Sequence, residues 1–146
     1  MEAQVNISGF KEMQQLLKRL PENMQRRALG SAARAGAVVM QREARKSAPR
    51  GQELSTSSKK YGPLHKNIRI IQLKRVPRGS RAYRVDTGDG FWGVILEVGS
   101  RYMPARPWMR PAIERAWGAA LKKVRDSLTK ALERETTKLA KQYKVK

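Results

Sequence analysis

The chain has no cysteine, which closes off disulfides and thiolate metal sites, and its single histidine, His65, leaves no imidazole cluster for zinc or haem. No metal or cofactor is expected, and His65 reads as a loop residue. No apolar run approaches the roughly 18 residues that cross a bilayer, and Met1 to Phe10 lacks the charged start and apolar middle of a secretory signal. A soluble, cytoplasmic protein is the expectation. Acids are scarce too, with 12 Asp and Glu against 32 Lys and Arg, a net charge of +20. Aromatics, at 6%, are few and no recognition-helix motif appears, so any case for nucleic-acid binding rests on charge.

What is present fits one domain. A chain of 146 residues buries roughly two-thirds of its unfolded surface, enough for one core. The positive charge is uneven: Arg42 to Arg81 holds twelve basic residues against Glu43 and Glu53, half the net charge of the chain. Self-repulsion of that size calls for an anionic partner. Nucleic acid or an acidic protein surface fits better than a membrane, because the basic helices carry no bulky apolar face before Trp117. Phosphate contacts would give non-specific nucleic-acid affinity at low salt.

Periodicity supplies the elements. Gln4 to Ser8 alternates, with Val5 and Ile7 on one face, and reads as a short strand. Phe10, Met13, Leu16, Leu17 and Leu20 recur at helical spacing until Pro21. Glu22 to Ser47 has no proline and predicts a second helix, one side lined by Ala28, Ala32, Ala35 and Gly36, the other by Arg26, Arg27, Arg34, Arg42, Arg45 and Lys46. Gly30 and Gly36 each cost about 1 kcal/mol against alanine in a helix, so close packing is expected at both. Arg50 to Lys66 is polar and predicts a flexible loop. Asn67 to Lys74, Arg81 to Asp86 and Phe91 to Val98 read as three strands joined by Pro77-Arg78-Gly79 and Thr87-Gly88-Asp89-Gly90 turns. From Pro111, the stripe Ile113, Trp117, Leu121, Val124, Leu128, Ala131 and Leu132 predicts an amphipathic helix of about eight turns. Glu114 suits its positive end and Lys138, Lys141, Lys144 and Lys146 its negative end, with residues 136–146 frayed or projecting. The expected fold is α+β: a three-strand antiparallel meander plus the N-terminal strand, packed against two N-terminal helices and a long C-terminal helix.

The densest segment is Leu96 to Ala112, LEVGSRYMPARPWMRPA, in which an apolar run, a glycine break and a helix start follow without slack. Pro104, Pro107 and Pro111 fix φ near −65° at three points, which makes a stiff elbow. Glu97 is its lone carboxylate among Arg101, Arg106 and Arg110, and reads as an ion-pair partner that pins the turn; Trp108 reads as core beneath it.

This segment resembles the head-tail connector or tail-completion (neck) proteins of long-tailed phages. In that family a strand ends in Glu-X-Gly-Thr, followed by Pro-Ala-X-Pro-aromatic and then Arg-Pro-Ala at the last helix. The matching residues are Glu97, Gly99, Pro104, Ala105, Pro107, Trp108, Arg110, Pro111 and Ala112, with Ser100 in place of threonine. Ala48-Pro49, Gly62-Pro63-Leu64 and Asn67-Ile68 resemble the family's earlier landmarks, with Arg50 to Tyr61 an insertion. The resemblance implies a non-enzymatic virion protein at the head-to-tail joint, made in the host cytoplasm and assembled as a ring with head-closure and tail-terminator proteins. Repulsion at +20 per copy predicts a monomer or weak oligomer alone. The surfaces expected to matter are the elbow, from Glu97 and Gly99 through Arg101, Pro104, Ala105, Arg106, Pro107, Trp108 and Arg110 to Pro111, and the small-residue face of the second helix. A basic surface of Arg42, Arg45, Lys46, Lys59, Lys60, Lys66, Arg69, Lys74 and Arg75 would face a protein partner or DNA. The alternatives are a basic nucleic-acid-binding accessory protein and, more weakly, a magnesium-dependent nuclease using Asp86, Asp89 and Glu97. Gly88-Asp89-Gly90 lacks the Lys-Ser/Thr of a phosphate-cradling loop and reads as a turn.

Overall fold

Proline sets the first helix boundaries. The computed structural model describes residues 10–50 and 60–144; the expected strand Gln4 to Ser8 lies outside them. Helix α1 spans Phe10–Arg19 and ends before Pro21, whose extended backbone (φ −54°, ψ 147°) leads directly into α2, Glu22–Ser47. At the far end Pro49 disfavours the helical region for the residue before it, and Ala48 turns out at ψ 129° while its N–H still donates to the Ala44 carbonyl at 2.9 Å.

Helix α5, Met109–Lys144, runs antiparallel to α2, since Met24, Ala28 and Ala32 meet Leu128, Ala131 and Leu132 while Ala44 and Ala48 meet Trp108. The buried positions recur every four residues on both helices: Met24, Ala28, Ala32, Gly36, Ala44 and Ala48 on one, Trp108, Ala112, Ala116, Ala120, Leu128 and Leu132 on the other. A four-residue step advances about 40° beyond one turn, so this seam winds around the helix and engages i±4 ridges. Small side chains let the backbones close up. A Cβ on Gly36 would lie 2.5 Å from Val124 Cγ2, whereas one on Gly30 would find only ordinary contacts with Tyr83 and Arg81. Close packing therefore explains Gly36 and not Gly30.

This seam corrects the expected stripe of α5. Leu128, Ala131 and Leu132 are buried as predicted, but Ala112, Ala116 and Ala120 replace Ile113, Trp117 and Leu121 in the upper seam. Those larger side chains, together with Val124, line an apolar groove against Ala33, Ala37 and Met40 of α2 and the side chains of Tyr83 and Val85, and Trp117 stays half-exposed. A helix of 36 residues also exceeds the eight turns expected, reaching about 54 Å. Among the positions whose burial is described, those buried along it end at Glu135, and Thr136, Thr137, Lys138, Ala140 and Lys141 are exposed.

The sheet is smaller than expected. Strand β1, Arg69–Gln72, pairs antiparallel with β2, Tyr83–Asp86, in the register Arg69↔Asp86, Ile70↔Val85, Ile71↔Arg84 and Gln72↔Tyr83. Alternation turns Tyr83 and Val85 toward α2. The hairpin is tied to that helix at Ile68, whose carbonyl accepts from Gln41 Nε2 (2.8 Å) and from Arg45 Nε and Nη2 (3.2 and 2.8 Å).

The predicted third strand, Phe91 to Val98, is instead helix α4, Trp92–Val98. Period-two spacing selects 92, 94, 96 and 98, helical spacing selects 92, 93, 96 and 97, and Trp92 and Leu96 satisfy both. Packing decides for the helix. Trp92 and Leu96 lie against the buried cluster of Ala44, Ala48, Leu64, Ile68 and Trp108, and buried Gly93 lets α4 descend onto Leu64, whose Cδ1 would be 2.6 Å from a Cβ there. The end of the expected 50–66 loop is also ordered: Leu64–Asn67 forms a short helix, α3, with Leu64 buried and with His65 in the helix and not in a loop; residues 51–59 lie outside the described ones.

Candidate functional site

The elbow is built by the return of the chain from α4 to α5. Gly99 ends α4 at φ +84°, a conformation that favours glycine, and a Cβ there would lie 2.8 Å from the Ala105 nitrogen. Its N–H donates to the Ile95 carbonyl at 2.8 Å. Ser100 and Met103 then exchange backbone hydrogen bonds (2.8 and 3.2 Å) around a tight turn that carries Arg101 and Tyr102. The Arg106 N–H donates to the Leu96 carbonyl at 2.7 Å, drawing the Pro104–Pro107 stretch back along α4.

Glu97 closes the loop in a way different from its expected role. Its Oε2 accepts the backbone N–H groups of Trp108 and Met109 at 2.6 and 2.8 Å, and its Oε1 accepts that of Arg110 at 3.0 Å. The carboxylate thus caps the N-terminus of α5, where free N–H groups and the helix dipole favour an anion. No ion pair joins Glu97 to Arg101, Arg106 or Arg110 among the described residues. Glu114, expected to serve the positive end, lies beyond the first turn. Pro111 falls within that first turn, where no N–H is needed. Trp108 is buried as expected, and its Nε1–H donates to the Gly93 carbonyl at 3.0 Å, a second tie between α4 and α5.

Burial is the largest influence on the Glu97 carboxyl and pushes its pKa up. The hydrogen bonds from Met109, Trp108 and Arg110, with the Arg110 charge, outweigh it and hold the pKa below the usual carboxylate value. The folded state therefore binds fewer protons than the unfolded state. The cap stabilises fully above the unfolded pKa, near 4.5, and is lost as pH falls through the lowered folded value. Thermal unfolding between roughly pH 3 and 7 should show wild type losing more stability on acidification than Glu97→Gln, with the variant weaker at neutral pH by about 1–2 kcal/mol.

The other predicted residues fall into separate places. Arg101, Pro104, Ala105, Arg106, Pro107 and Arg110 are exposed along the elbow. Ala28, Ala32 and Gly36 are sealed against α5 and Ala35 is half-buried, so the small-residue face is an internal seam and offers no docking surface. Of the basic surface, Arg42, Arg45 and Lys46 line a cleft on α2, Arg69 faces Asp89 at 3.7 Å, Lys60 lies 5.1 Å over the Tyr61 ring, and Lys66, Lys74 and Arg75 are exposed elsewhere; Lys59 lies outside the described residues. Asp86 pairs with Arg84 at 2.8 Å and accepts from the Gly88 N–H at 2.7 Å, and Glu97 is committed to its cap. Among the described residues no group of three His, Cys, Asp or Glu is placed to hold a metal, so the magnesium arrangement of a nuclease is not assembled there.

No family model, curated protein or solved structure matches the chain.

One surface escaped the sequence reading. The outer side of α4 and the tip of the elbow expose Phe91, Val94, Ile95, Val98 and Tyr102, with Val98 71% and Tyr102 91% accessible. Phe91 packs edge-on against Tyr61 and Trp92 at centroid distances of 6.4 and 5.6 Å. The signal is the uncharged run from Phe91 to Leu96, apolar at every position but Gly93, which read as a strand shows one apolar face and as a helix leaves Val94, Ile95 and Val98 open.

Proposed function

We propose that this chain is a structural protein of the tailed-phage neck, acting in head-tail joining or tail completion. The observation that carries the reading is the Glu97 cap. Residues that resemble the family's motif, eleven or more positions apart, meet as one unit: the Glu97 carboxylate holds the first N–H groups of the helix that Trp108, Arg110 and Pro111 open. That unit presents Val98 and Tyr102 outward, flanked by Arg101, which suits contact with a neighbour that has an apolar centre and an acidic rim. In this reading the copies form a ring within the virion, between head-closure and tail-terminator proteins. The net charge keeps the isolated chain monomeric or weakly associated until acidic neighbours or packaged DNA offset it. The protein resides in the host cytoplasm during assembly and in the neck afterwards. A basic nucleic-acid-binding accessory role is the second reading, favoured by the charge.

The test is negative-stain electron microscopy of a lysate from the genome encoding this chain, with its reading frame interrupted by a stop codon. Full heads beside detached or malformed tails are expected. Intact infectious particles would remove the neck reading.

A further inference from the structure

The exposed side of α2 carries a stripe of positive charge that the elbow does not use. Arg27, Arg34, Gln41 and Arg45 are spaced seven, seven and four residues apart, which puts them on one helix face, and Arg42 flanks them. Each end of the stripe opens into a cleft. At the N-terminal end Arg26, Arg27 and Ser31 face Gln72 and Arg81 of the hairpin; at the C-terminal end Arg42, Arg45 and Lys46 gather with Gln41, Arg50 and His65. Arg26, Arg27, Arg34, Arg42 and Arg81 have no carboxylate within ion-pair distance among the described residues. Five guanidinium groups distributed along α2 and its N-terminal cleft without counter-charge leave an unbalanced field over that side.

We infer that this face binds the phosphate backbone of duplex DNA without reading its sequence. Its donors are planar guanidinium forks accompanied by neutral amide and hydroxyl donors (Gln72, Ser31), the chemistry that fits phosphate oxygens. An acidic protein is less well matched, because protein interfaces centre on aromatic and apolar anchors, and the stripe and its clefts offer only Val38 and the half-buried Tyr83. Single strands are less well matched too: among the described residues the exposed aromatics Tyr61, Phe91, Tyr102 and Trp117 all lie off α2, and the aromatic that lines the stripe's clefts, Tyr83, is half-buried, a poor platform for base stacking. A B-form duplex is selected over an A-form one because an α-helix reaches the phosphates on both sides of a groove only where the groove is wide enough to admit it, a B-form property. From Arg27 to Arg45 the stripe is about 27 Å long, the length of about eight phosphates on one strand. This inference is independent of the neck reading.

A chain this basic binds any polyanion at low salt, so the test must localise the contact. Fluorescence anisotropy with a labelled DNA duplex of about 20 base pairs, an RNA duplex of the same sequence and polyglutamate, between 50 and 200 mM salt, compares two variants that each lose four charges. One carries Arg26→Gln, Arg27→Gln, Arg34→Gln and Arg42→Gln; the other carries Lys122→Gln, Lys123→Gln, Lys130→Gln and Arg134→Gln on α5. All eight side chains are exposed and glutamine preserves helix propensity, so both variants should keep their helical circular dichroism. Wild type should lose about 10³ in affinity for the DNA duplex across that salt range. The α2 variant should bind more than about tenfold more weakly at 50 mM, with a salt slope shallower by about three, while the α5 variant stays within about twofold. If the α2 variant loses its fold, Arg34→Glu against Lys130→Glu carries the same comparison. Equal losses in the two variants, or RNA or polyglutamate bound as tightly as DNA, would overturn the inference.

Discussion

Trp108→Ala should remove about 3–5 kcal/mol of stability, the cost of deleting a large aromatic from a packed core. The ring is 6% exposed and sits among Ala44, Ala48, Leu64 and Ile68, so it joins the end of α2, the short helix α3 and the hairpin to the start of α5. The same truncation leaves the Gly93 carbonyl without its donor inside that cluster. Against a total of roughly 5–15 kcal/mol this is a large fraction, and it should lower the melting temperature by on the order of 10 °C. Trp108→Phe keeps most of the packing and loses the hydrogen bond, and should cost about 1–3 kcal/mol. A loss below about 1 kcal/mol for the alanine variant would mean that the elbow is not the keystone of this end of the molecule.

The sequence carried the helices well because their punctuation is local. Pro21 and Pro49 bound α2 on chemical grounds that no tertiary contact needs to supply, and the predicted limits Glu22 to Ser47 are those observed. Helix α5 was legible for a similar reason, yet its buried side was misread. Hydrophobic periodicity weighs side-chain size, so it chose Ile113, Trp117 and Leu121; the partner helix is lined with alanine and glycine, and backbone approach through Ala112, Ala116 and Ala120 won. The error at Phe91 to Val98 is of another kind. Trp92 and Leu96 satisfy either period, and the choice was made by Leu64 and Trp108, distant in sequence, which a local pattern cannot see.

At the elbow, sequence pattern picked out residues that the fold brings together, but assigned Glu97 the wrong bond. Glu97 among three arginines suggests charge pairing, but arginine side chains on a surface turn gain little from it and remain hydrated. The three N–H groups at the start of α5 have no carbonyl to receive them, so the carboxylate is worth more there. The outward apolar face of α4 was hidden by the strand assignment, whereas the basic side of α2, from Arg26 and Arg27 to Arg45 and Lys46, was legible from helical spacing alone.

The second large effect concerns that apolar face. Val98→Asp combined with Tyr102→Asp should leave the isolated chain folded, since exposed positions tolerate change to within about 0.5 kcal/mol. In an assembled contact the same carboxylates would be desolvated without partners and would face an acidic neighbour, at a cost of several kcal/mol repeated around the ring. The decisive measurement is therefore a complementation: the interrupted reading frame is supplied in trans with either the wild-type chain or this double variant, and particles are counted by negative-stain electron microscopy. The account predicts joined, infectious virions with wild type, and full heads beside unattached tails with a variant whose circular dichroism is unchanged. Restoration of normal virions by the variant would contradict it, because the elbow and α4 would then be structural elements and not the surface by which this protein joins its neighbours.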